Sequence, residues 1–189
     1  VSWQIRAGDR QLHYGLVTVL LNDLFGIQAR GGCSCAGPYG HSLLGLDRPL
    51  SRQLRAEVLR GNPVLRPGWV RMNFNYFIDR ETLEYLIHAV LFIADHGERL
   101  QSLYRYDASS GTWCHRAAGN RTLIALDEFS PGRRYETLPK CNHPLSAFLA
   151  EAQQVLDGIP ATPDPDDGLQ LDARAEEVRW FFRSGDGIE

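Results

Sequence analysis

A chain of 189 residues, 43% hydrophobic and 23% charged, is long enough for one ordinary domain with a real core, and its composition excludes wholesale disorder and fibrous repeats. A net charge of -3, with arginines scattered among acids, leaves no basic stripe for nucleic acid. No apolar run, residues 16–21 with Thr18 inside them included, approaches the ~20 residues of a membrane span, and no secretory signal opens the chain, so a cytoplasmic protein is expected.

Val1, Trp3 and Ile5 alternate with Ser2, Gln4 and Arg6, the period of a strand with one buried face. A chain that begins inside structure suggests that residues upstream have been removed. From Tyr14 to Phe25 the residues Leu16, Val19, Leu20 and Leu24 keep helical spacing, and Gly26 is placed to end the helix in a left-handed turn. Residues 27–30 read as a short strand running into residues 31–40, a shaped loop too rich in glycine and proline for a regular element. Ser51 is placed to cap a helix through Arg60, with Gly61 as its stop.

In residues 69–74 Val70, Met72 and Phe74 alternate with Trp69, Arg71 and Asn73, so Arg71 and Asn73 share the face opposite the apolar one. Asp79 caps a long helix in which Leu83, Leu86, Ile87, Val90, Leu91 and Ala94 form an apolar stripe. The order strand, helix, strand, loop, helix, strand, helix predicts an α/β (α+β) domain over residues 1–98, a small mixed sheet with helices packed on it. Residues 99–189 read as a carboxy-terminal extension packed on that domain. It begins with a hairpin of residues 103–106 and 112–116 around Ser109, Ser110 and Gly111, and a further strand is expected at residues 123–126. Leu145, Phe148, Leu149, Ala152, Val155 and Leu156 predict an amphipathic helix, residues 159–168 a linker, and Val178, Phe181 and Phe182 a last helix.

Four cysteines, Cys33, Cys35, Cys114 and Cys141, are too few and too uneven for the framework of a small secreted domain and read as reduced thiols. Three Cys/His clusters raise the question of zinc. Cys-Ser-Cys and adjacent Cys-His pairs strain a tetrahedral site, so no metal is expected. Glycines around Cys33 and Cys35 let a thiol be presented from a loop, and Arg30, or His41 if it approaches, would favour the thiolate. Against this stands the ordinary role of cysteine as a small buried side chain.

The segments LLNDLFGIQARGGCSCAGPYGH, residues 20–41, and PGWVRMNFNYF, residues 67–77, resemble the small-domain signatures of the cysteine desulfurase and selenocysteine lyase branch of class V aminotransferases. In the loop pattern R-x-G-x-x-C-A of that branch, Arg30, Gly32, Cys35 and Ala36 match in order. The resemblance implies the carboxy-terminal domain of a fold-type-I pyridoxal-phosphate enzyme, with Cys35 attacking the sulfur of a substrate cysteine and holding it as a persulfide. It implies that Arg71 binds the substrate carboxylate, with Arg30 and His41 beside it; the bland alternative for Arg71 is a structural ion pair. Cys33 adds a second thiol where many relatives carry histidine, so either cysteine is a candidate nucleophile. The resemblance is dense over residues 16–97 and thin afterwards.

Such enzymes hold pyridoxal phosphate through a lysine in a larger upstream domain. Lys140, the only lysine here, stands in a turn-like stretch past the resembling region, so this fragment is not expected to bind the cofactor alone. The partners implied are the cofactor-binding amino-terminal domain of the same protein, a small amino-acid substrate (cysteine, selenocysteine or a sulfinate) and a second copy in a homodimer. The alternatives are a class V aminotransferase or lyase without the thiol step, and a non-catalytic dimerisation or protein-binding domain.

Overall fold

The structure, a computed structural model, describes residues 1–33, 37–117, 143–160 and 166–186. Cys35, Lys140, Cys141 and the strand expected at residues 123–126 lie outside the described residues.

Three short strands form the central sheet in the order β1 (Ser2–Trp3), β5 (Trp69–Arg71), β4 (Arg30–Gly32). Both pairings are antiparallel, so the mixed sheet expected from sequence is corrected: β4 and β5 are joined by a long excursion that returns alongside in the opposite sense. Strands β2 (Arg6–Ala7) and β3 (Arg10–Gln11) make a small hairpin, and β6 (Tyr104–Asp107) pairs with β7 (Thr112–His115) around Gly111, whose φ of 70° suits a residue without a side chain.

Helix α1 (Tyr14–Phe25) runs as its apolar spacing predicts, with Leu16, Val17, Leu20, Leu21 and Phe25 buried and Gly26 at φ 63° ending it. Its cap is His13, whose Nδ1 accepts from the Gly15 amide at 3.0 Å. Helix α4 (Arg80–Leu100) begins at Asp79, whose carboxylate accepts from the Thr82 amide at 2.7 Å. Three expectations fail locally. The glycine- and proline-rich run contains a helix, α2 (Gly37–Leu43). The cap of α3 (Arg48–Leu59) is Asp47, with Ser51 already inside the helix. Val178, Phe181 and Phe182 lie beyond a shorter helix, α6 (Ala173–Glu177), in a segment that instead bridges Phe181 to Gln11.

The core sits between α1, the sheet, α4 and α5 (Leu145–Asp157), and the hairpin closes it through Tyr104, Tyr106 and Trp113. Residues before and after position 98 therefore share one apolar cluster. Ion pairs brace the carboxy-terminal segment internally, Arg183 holding Asp167 with two bonds of 2.6 and 2.7 Å and Arg179 holding Asp186 at 2.7 and 2.8 Å, and the pairs Arg60–Asp172 at 2.9 Å and Arg174–Glu57 at 3.1 Å tie it to α3. Glu57, only 1% exposed, accepts two bonds from Arg60 and one from Asn62. Among the described residues no helix is long and apolar enough to cross a membrane.

The apolar stripe of α4 departs most from expectation. Its buried face is Tyr85, Ala89, Ile93, Gly97 and Leu100, where small residues admit close neighbours; a Cβ on Gly97 would meet Leu12 at 2.3 Å. Leu83, Ile87 and Leu91, expected inside, are 36%, 44% and 51% exposed. Phe74 is likewise 36% exposed, and Tyr76 and Phe77 beside it are open to solvent.

Candidate functional site

The register of the sheet decides the geometry of the candidate site. Arg30 on β4 stands directly opposite Arg71 on β5, and directly opposed residues project from the same face with Cβ atoms about 4.5–5.5 Å apart. Gly31 and Val70, the next pair along, project from the other face, where a Cβ on Gly31 would meet the Tyr14 ring at 2.7 Å. So α1 covers one face, and both arginines emerge from the other.

On that other face they line a cleft of about 530 Å³ together with Gln28, Asn73 and Leu86. Neither guanidinium makes an ion pair or hydrogen bond among the described residues, in contrast to Arg60, Arg179 and Arg183. The bland reading of Arg71 as a structural ion-pair residue therefore finds no partner among the described residues. Two like charges directly opposed cost roughly 0.2–1 kcal/mol, and among the described residues no acid lines the cleft to offset that. An anion lying between the guanidinium planes would offset it, through parallel bonds to two oxygens. Asn73 shares the face of Arg71 by strand alternation, as the sequence indicated. Gln28 was missed, although its place two residues before Arg30 is the same signal.

The other site residues divide. Cys33 follows β4 and is half-buried, its Sγ so close to α2 that a Cβ on Gly40 would stand 2.8 Å from it and 3.2 Å from the Trp69 ring. This thiol is packed under α2, not projected from a free loop. His41 sits on α2 and shares a 2.5 Å hydrogen bond between Nδ1 and the Ser51 hydroxyl on α3, which occupies one ring nitrogen in joining two helices. Cys114 is exposed on β7 and His115 beside it turns to the other face, edge-on to Tyr104; neighbours on a strand point apart. Among the described residues no three His, Cys, Asp or Glu side chains are grouped to hold a metal ion.

No family model matches the chain, and neither a curated protein nor a solved structure matches it. What the fold defines is a helical α+β protein with a small antiparallel sheet and a two-arginine cleft on its open face.

Proposed function

We propose that this chain is the carboxy-terminal, substrate-closing domain of a pyridoxal-phosphate enzyme of the cysteine desulfurase type. The observation that carries the reading is the opposed pair Arg30 and Arg71, unpartnered among the described residues and sharing one cleft. Such a pair suits the carboxylate of an amino acid, with Asn73 and Gln28 as further donors. In this reading Cys35 accepts the substrate sulfur as a persulfide, and Cys33, at the base of the same loop, is the second candidate.

The cofactor itself does not fit the residues at hand. Among the described residues the cleft offers no lysine for a Schiff base and no carboxylate to face a pyridine nitrogen. The proposal assigns pyridoxal phosphate to a separate amino-terminal domain of the parent protein. Exposed apolar side chains support that assignment: Phe74, Tyr76 and Phe77 follow Asn73 of the cleft in sequence, and Leu83, Ile87 and Leu91 recur every fourth residue along α4, the helix that sends Leu86 into the cleft. Exposed apolar surface of this kind marks an interaction site. A body docked there would roof the arginines and exclude water from them.

The same side chains favour a second reading, a non-catalytic interaction domain whose surface serves only to bind a partner or a second copy. Sulfide release from cysteine by the natural full-length protein separates the two. The desulfurase reading expects turnover that Cys35→Ala or Cys33→Ala abolishes; turnover unaffected by either change, or none in the unaltered protein, leaves the interaction reading.

A further inference from the structure

On the α1 side of the sheet lies a second cleft, of about 390 Å³, which the desulfurase reading does not use. Its walls include Tyr14, Pro63, Val64, Arg66, Tyr106 and Trp113. The phenols single it out. A buried tyrosine hydroxyl usually finds a hydrogen-bond partner, and away from this cleft that holds: Tyr85 donates to the Phe25 carbonyl at 2.7 Å and Tyr104 to Asp23 at 3.1 Å. Tyr106 is only 4% exposed and Tyr14 is half-buried, yet neither hydroxyl makes a hydrogen bond among the described residues, and neither oxygen is sealed off, so both open onto the cleft.

Arg66 stands beside them, exposed and without an ion pair among the described residues. The three groups share one neighbourhood. Burial raises both phenol pKa values, and for both the Arg66 charge opposes the rise. All three line the same cleft and none bonds another among the described residues, so an acceptor entering it is the partner they could share. Tyr14 cannot turn away: its ring stacks on His13 at 4.5 Å, and Cβ atoms on Gly31 or Gly68 would stand 2.7 or 2.8 Å from it.

We propose that this cleft binds a small organic anion with an apolar body, its acid group held by Arg66 and the hydroxyls of Tyr14 and Tyr106. One cation and two neutral donors match a singly charged carboxylate, which accepts several hydrogen bonds through two oxygens. Pro63, Val64 and Trp113 supply the apolar wall for the body. The site lies on the opposite face of the sheet from Arg30 and Arg71 and does not depend on what they bind.

The test titrates the full chain, carrying Arg71→Gln to silence the other cleft, with benzoate and separately with inorganic phosphate, following tryptophan fluorescence. Expected is a saturable response to benzoate, weakened about tenfold or more by adding Arg66→Gln and a few-fold by Tyr14→Phe or Tyr106→Phe, in line with the loss of one charge-assisted or one neutral bond. Tyrosine to phenylalanine keeps the ring packing, and thermal melting confirms that each variant is folded. No saturation in the millimolar range, or binding that survives Arg66→Gln, overturns the site. Phosphate binding without benzoate binding overturns the apolar-bodied class.

Discussion

The two faces of the central sheet are built on opposite terms. On the α1 face, Gly31 and Val70 lie under Tyr14 and Thr18, and His13 is the hub of an aromatic cluster, stacked on Tyr14 and Trp180 and edge-on to Phe181. Both ring nitrogens of that histidine are engaged: Nδ1 accepts from Gly15 and from the Trp113 indole at 3.1 Å, and Nε2 bonds the Val64 carbonyl at 3.1 Å. The opposite face carries two guanidiniums with no partner among the described residues. One face contributes stability by excluding water, and the other gives some up for an unbalanced charge.

The largest effect that would sharpen this contrast lies at His13. Burial lowers its pKa from 6.5 to about 4, so between those values the unfolded chain takes up a proton that the folded chain refuses. The stability this confers is complete above pH 6.5 and is lost as pH falls toward 4, in total roughly 3 kcal/mol. Urea unfolding at a series of pH values reads that slope, and His13→Gln is expected to remove it; an unchanged slope would show that other groups govern it.

Next in size is the close approach of strand ends. A Cβ on Gly68 would stand 2.7 Å from the Gly32 backbone, which cannot step aside as a side chain can. Gly68→Ala is expected to cost about 1–3 kcal/mol, read from the denaturant midpoint. If the cost is negligible, the strand ends are looser than the packing implies.

On the arginine face the sign reverses. Arg30→Gln relieves the opposed charges and is expected to raise stability by several tenths of a kcal/mol at low salt, the gain fading as salt screens the pair. Loss of stability would mean that Arg30 has a structural partner and is no ligand group. Smallest of all, Ile87→Glu on the exposed side of α4 is expected to leave the stability of this chain within about 0.5 kcal/mol. Under the proposed function, the same change should abolish co-purification with the proposed cofactor-binding domain supplied as a separate chain, and retained association would move the docking surface elsewhere.

Elements set by local chemistry were legible in the residues alone. Gly26 and Asp79 mark the ends of α1 and α4 because one relieves a left-handed backbone and the other accepts from a free amide, whatever surrounds them. The Ser109 to Gly111 turn belongs to the same class. The site was half legible: the sequence singled out Arg30 and Arg71 separately, but their facing register joins segments about forty residues apart and is a property of the sheet. The second cleft left no sequence signal, since Tyr14, Arg66 and Tyr106 share neither an element nor a spacing.

Periodicity in α4 showed that the helix has an apolar stripe but not which side is buried. That choice fell to Ala89 and Gly97, small enough to let neighbours approach, and it left Leu83, Ile87 and Leu91 outside. The chain by itself therefore determined where helices begin and end, because capping and turn formation involve a few adjacent residues. Tertiary packing alone decided which face is closed, which arginines meet and where the thiol of Cys33 lies, because each depends on which distant surfaces fit together without a clash.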